Sequence, residues 1–269
     1  MNATTSTSTA LGATMARESA IPTRRLVRTY LAEARYESVR MLRAPGFAIP
    51  FLGLPVLLYL LFAVLIAGAA TRGNPAVASF MFTGFAIFGI IGPGMFGFGV
   101  VVATEREQGL LRLKRALPMP PAAYLLAKGI MAMLFSAIIL ATLLAAGLTL
   151  GHMTLTAGQI VRFLVTGVLG SVPFCALGLL IGVWTTTRSS PAIVNLVYLP
   201  MLHLSGLFYP LPKTLQSMAS AWPAYHLHQL ALDAVGAASR GDAMTHAAVL
   251  AGVTVLCGLL ALRRLARIG

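Results

Sequence analysis

The sequence predicts an all-α polytopic membrane protein, and three observations predict it. Hydrophobic residues make up 58% of the chain, with a mean hydropathy of +0.84. Charged residues make up 10%, against roughly 25% in ordinary soluble domains. Apolar runs of about 20 residues recur, each long enough at about 1.5 Å rise per residue to cross a hydrocarbon core about 30 Å thick. A net charge of +13 would suggest nucleic acid in a soluble chain. Here it fits basic flanks lying against anionic membrane lipids, and no nucleic-acid partner is expected.

Residues 1–22 are rich in Thr, Ser and Ala without periodicity, which reads as a disordered tail. They do not read as a secretory signal, because the first long apolar run begins near Phe47. Over 23–43, Leu26, Val27, Tyr30, Leu31, Ala34, Met41 and Leu42 recur at helical spacing. Arg24, Arg25, Arg28, Arg35, Arg40 and Arg43 occupy other positions, so an interfacial amphipathic helix is expected, its basic face toward headgroups. Ala44-Pro45-Gly46 then turns the chain into the bilayer.

Six transmembrane helices are expected at about 47–70, 76–103, 125–150, 160–184, 191–209 and 243–262. The fifth is short and holds Pro200. With the N-terminus inside, 16 Lys and Arg residues fall on the cytoplasmic side and 4 outside, which places both termini in the cytoplasm. The 210–242 connection then forms an outer hairpin of two short segments broken at Trp222-Pro223, dipping into the outer leaflet.

The loop 104–124 is the longest charged island between hydrophobic runs. Its first half has helical spacing, with Leu110, Leu111 and Leu113 among charged neighbours, and Pro118, Pro120 and Pro121 stop that helix. A short charged helix tethered to a span at each end suits a handle gripped by another protein.

Catalytic constellations are missing from the sequence. GxxxxGK[ST], HExxH, CxxC and GxSxG do not occur, so no ATP site, metal site or catalytic residue is assigned. Asp and Glu are absent from the six span cores, which argues against a proton-coupled carrier. Cys175 and Cys257 read as small packing residues. His203 is the ionisable side chain near the middle of a span, either functional or a neutral imidazole bonded to a neighbouring helix. His226 and His228, two apart, point to different helix faces and do not make a metal pair. Gly89, Gly92, Gly94, Gly97 and Gly99 crowd the second span, and Gly178 and Gly182 form GxxxG in the fourth. Close helix packing is the plain reading. The sharper one takes Gly92, Gly94, Gly97 and His203 as flanking a substrate path.

In order and spacing, four pieces resemble the permease subunit of the ABC type-2 exporter family over about residues 24–265. They are the basic helix running into Arg43-Ala44-Pro45 and a span with Pro50 and Pro55; the Glu105 to Pro118 stretch with Gly109; Ala127-Lys128-Gly129; and Leu204 to Pro210 followed by Trp222-Pro223-Ala224-Tyr225. The resemblance implies two six-span subunits forming a pore in a prokaryotic inner membrane, expected here as a homodimer. Each is coupled to a cytoplasmic ATPase subunit, two copies in all, which holds ATP and magnesium. Glu105, Arg106, Gly109, Leu110, Leu111, Arg112 and Leu113 would form the coupling helix that docks on the ATPase. Separately from the resemblance, the near absence of charge inside the spans favours a hydrophobic or amphipathic substrate. The competing reading is a membrane scaffold that recruits a cytoplasmic partner without transporting anything.

Overall fold

The computed structural model describes residues 23–111, 113 and 121–268. The expected tail at 1–22, the docking residue Arg112 and the proline stop at 118–120 lie outside those residues. Helices α1 (Thr23–Leu42) and α2 (Pro45–Tyr59) meet at a turn in which Pro45 occupies the first helical position, where its missing amide costs nothing. The path of α2 continues as a π-helix, Leu60–Ile66, and then α3 (Gly68–Gly73). Asn74 caps α4 (Pro75–Glu107) by accepting from the Ala76 amide. There follow α5 (Pro121–Thr149), α6 (Ala157–Leu169), α7 (Val172–Trp184), α8 (Ser190–Leu204), α9 (Lys213–Ala219), α10 (Pro223–Ala234) and α11 (Ala243–Ile268).

The bundle is built around α4. Of its most apolar stretch 83% is buried, against 17% for Pro45–Ile66, so α2 lies on the outside. Phe82, Ile87, Ile90, Ile91 and Met95 of α4 are fully enclosed. The closest neighbour is α7, and the GxxxG pair explains how it comes so near. A Cβ on Gly178 would sit 2.7 Å from the Met95 carbonyl oxygen, and one on Gly182 would sit 2.7 Å from that of Gly99. Glycine at both positions lets the two backbones touch. On the far side of α7 lies α11, while α1 packs along α5.

Five helices are long and apolar enough to cross a membrane: Pro45–Ile66, Pro75–Glu107, Ala123–Thr149, Ala157–Trp184 and Ala243–Arg267. The fourth bends at Gly170-Ser171, where α6 gives way to α7. The expected span 191–209 is instead a 15-residue helix, α8, ending at Leu204. Gly206 at φ +68° breaks it. His203 therefore occupies the last turn of α8 rather than a mid-span position. It is exposed, and its Nδ1 lies 2.9 Å from the Leu199 carbonyl of its own helix.

Candidate functional site: a buried charge ring

One end of the bundle brings together four charged side chains from three separate helices, three of them buried. Glu37 and Arg40 stand three residues apart on α1, Glu105 is in the last turn of α4, and Lys128 is in the second turn of α5. Arg40 lies 3.0 Å from Glu37 and 2.5 Å from Glu105; Lys128 lies 2.5 Å from Glu37 and 3.2 Å from Glu105. Charges therefore alternate around a closed ring whose formal sum is zero. Lys128 is fully enclosed and Glu37 and Glu105 nearly so, while Arg40 is a third exposed. The Tyr124 hydroxyl donates to Glu105, and the Lys128 ammonium lies 5.1 Å from the centre of the Tyr124 ring.

Isolated charges do not survive in such a place, because removing an ion from water costs several kcal/mol even after relaxation. The ring survives because each carboxylate meets two cations and each cation two carboxylates. Burial opposes the charge on Arg40, but its bond to Glu105 and the two nearby carboxylates outweigh that. Its pKa lies above the ordinary arginine value.

The residues beside Glu105 are fixed as well. Arg106 donates to the Val183 carbonyl and, at 2.5 Å, to that of Thr185. These carbonyls end α7, where the helix dipole favours a cation. Glu107 accepts from the Thr187 amide at 3.0 Å. The last turn of α4 is thereby pinned to α1, α5 and the end of α7. Beyond it, Gly109 at φ +74° turns the chain, and helical backbone resumes at Leu110, with the Leu113 amide donating to the Gly109 carbonyl.

This geometry separates the residues expected to share one docking helix. No breaker lies between Ala103 and Glu107, so the span-two helix runs on through Glu105 and Arg106 and turns them inward. Leu110 and Leu111 are half-buried, and Leu113 is 60% exposed. Of the α1 arginines, Arg28 and Arg35 are exposed, while Arg40 faces the ring, and Arg43, just past the helix, is exposed too; Arg24 and Arg25 lie on α1. Gly92, Gly94 and Gly97 are buried in α4, their vacant side-chain positions filled by Phe51, Phe174 and Met131. Cys175 and Cys257 are free and buried. No group of three or more potential metal ligands occurs among the described residues.

Sequence reasoning missed the ring because it counted Lys128, at the opening of the third span, only as one more cation on the cytoplasmic side. The signal was present: Lys128 stands inside an apolar run, four residues after Tyr124, where an amine needs a partner. Comparison with known proteins adds two findings. Residues 29–234 match the family described as ABC-2 type transporter. The chain is also similar to "Putative transport permease YvfS" of Bacillus subtilis (strain 168), 24% identical over 193 residues, covering 71% of this chain and 78% of that protein.

Proposed function

Because the chain belongs to the ABC-2 type transporter family, we propose that it is the transmembrane permease subunit of an ATP-driven exporter. It works with a separate ATPase and moves a hydrophobic or amphipathic substrate across a prokaryotic cytoplasmic membrane. The charge ring is the observation that carries this reading. It ties α1, α4 and α5 into one unit directly behind the Gly109–Leu113 turn. A push on that turn is delivered to three helices together rather than absorbed by a loop.

In this reading the ring end faces the cytoplasm, and the partner ATPase, in two copies, holds ATP and magnesium. Leu110, Leu111 and Leu113, with Arg112, make the docking contact. Glu105 and Arg106 transmit from behind it. A second copy of the permease completes the pore. A cavity of about 270 Å³ between α2, α4 and α8, lined by Phe51, Leu54, Phe88, Gly89 and Tyr198 among others, offers an apolar wall for the passage. Gly92, by admitting Phe51, shapes that wall. Gly94 and Gly97 lie on α4 and His203 on α8, two of the three helices around that cavity.

The test is co-purification in detergent with a candidate ATPase carrying GxxxxGK[ST]. Leu113→Glu alters the exposed docking turn and should cut ATPase retention about tenfold or more. Glu105→Gln leaves that turn in place but breaks the ring, so it should retain the ATPase and lose stimulation of its hydrolysis. If wild type retains no ATPase, or both variants bind and stimulate normally, the docking assignment falls. The chain is then a non-transporting scaffold. Export of a small hydrophilic ion alone would remove the apolar-cargo reading.

A further inference from the structure

At the opposite end of the bundle, His226 of α10 and His246 of α11 meet with their Nδ1 atoms 2.8 Å apart, both rings buried. Each outer nitrogen already has a partner. His226 Nε2 lies 2.8 Å from the Ser220 carbonyl oxygen, and His246 Nε2 lies 2.6 Å from that of Arg240. A carbonyl oxygen can only accept, so each Nε2 carries a hydrogen. Between the two Nδ1 atoms there must then be one hydrogen. With none, two lone pairs face each other; with two, the N–H groups collide. The geometry calls for three ring hydrogens on two imidazoles, a net charge of +1.

We infer that His226 and His246 form a proton-binding site in which one proton beyond the neutral state is shared between the rings and fastens the hairpin helix α10 to α11. The site goes beyond the transport reading and does not depend on it. Burial and the neighbouring His246 hold the His226 imidazole below its ordinary value. One Nδ1 donates the shared proton and the other accepts it.

The surroundings are built for the pair. Gly241, at φ +81°, brings the Arg240 carbonyl to His246, and a Cβ there would lie 3.2 Å from His246 Nε2. The Tyr225 ring stands edge-on to both, at 5.4 Å from His226 and 5.9 Å from His246. Asp242 caps α11 by accepting from the Thr245 amide at 3.3 Å, which sets a carboxylate one turn from His246 against the helix dipole. Other titratable groups point elsewhere. On α10, His228 faces Thr83 of α4, and Asp233 is exposed. The charged residues of α4 are at its far end, Arg162 of α6 is exposed, and on α8 His203 is exposed. Among the described residues neither histidine has a carboxylate partner. Tyr225 and Arg240 also line a cavity of about 330 Å³ with Ser205 and Gln229, so the state of the pair is felt at that wall.

Two measurements on the full chain in nanodiscs test this. With ¹⁵N-histidine label, the five imidazoles are assigned by single His→Gln variants. At neutral pH three of the four ring nitrogens of the pair should be protonated and one Nδ1 bare; two or four would overturn the inference. In a Trp184→Phe background, Trp222 beside α10 reports the hairpin by its emission from about pH 4 to about pH 9. The emission should change on both the acid limb, where two imidazolium ions repel, and the alkaline limb, where no proton is shared. Both limbs should vanish in His226→Gln and His246→Gln and persist in His203→Gln. A profile without two limbs, or one unaltered by either pair variant, would also overturn the inference. If a pair variant fails to fold, the wild-type proton count decides.

Discussion

Replacing Lys128 with Met keeps the stem and deletes the ammonium that lies 2.5 Å from Glu37 and 3.2 Å from Glu105. The ring then goes from neutral to one excess carboxylate, where the Glu37 side chain is 1% exposed. Breaking a buried pair by removing one partner costs about 3–5 kcal/mol. Arg40 still reaches both carboxylates and is partly open to solvent, so the loss should fall near the lower figure, about 3 kcal/mol. At about 2–4 °C per kcal/mol, that lowers Tm by roughly 6–12 °C. The double variant Lys128→Met/Glu37→Gln restores neutrality and leaves the 2.5 Å Arg40–Glu105 pair intact. It should recover about 1–3 kcal/mol relative to the summed single effects, because the two positions are in direct contact. Thermal unfolding of all forms in one detergent and salt condition reads the result. A Lys128→Met variant within about 1 kcal/mol of wild type, or a double variant that is simply additive, would refute the argument that the ring holds this end together.

Other outcomes follow from the same structure. Gly178→Ala forces a Cβ to 2.7 Å from the Met95 carbonyl oxygen and should cost about 1–3 kcal/mol. Gly129→Ala, with nothing within 4 Å, should be neutral or stabilising by up to about 1 kcal/mol; thermal unfolding separates the two. Burial holds His228 down to about 4, so the unfolded chain takes up its proton first as pH falls. The stabilisation from keeping it neutral is complete above about pH 6.5 and drains away toward pH 4, roughly 3 kcal/mol in all. The stability gap between wild type and His228→Gln should shrink across that window, and a constant gap would contradict it. His152 holds φ +52°, so His152→Gly should raise stability by about 0.5–1 kcal/mol in the same unfolding assay.

Much of the architecture was legible because hydropathy speaks directly about long helices. Apolar length placed α4, α5 and α11, and Trp222-Pro223 marked the break between the two hairpin helices, with Pro223 opening α10. The small residues Gly178 and Gly182 announced a close crossing without saying which helix they met. What stayed hidden depends on how segments distant in sequence come together. Glu37, Arg40, Glu105 and Lys128 read as an amphipathic face, a loop and a flank, since no local pattern reports a contact between residues 91 apart. His226 likewise looked unpaired while its partner lay 20 residues on, across a turn. The end of α8 was misjudged because apolar residues continue past Leu204, and the positive φ at Gly206 outweighs them.

The charge ring also sets an order of events during synthesis. The chain emerges from its N-terminus, so Glu37, Arg40 and Glu105 are all made before Lys128. Until that residue appears, two carboxylates share a single guanidinium, and closing the site would enclose an unbalanced negative charge. Burial of such an excess is unfavourable, so the seat for α1 is balanced only once α5 has been made. The arrival of α5 supplies the missing cation and lets the amphipathic segment settle. A nascent chain halted before Lys128 would have the sequence for α1 but no neutral seat in which to place it.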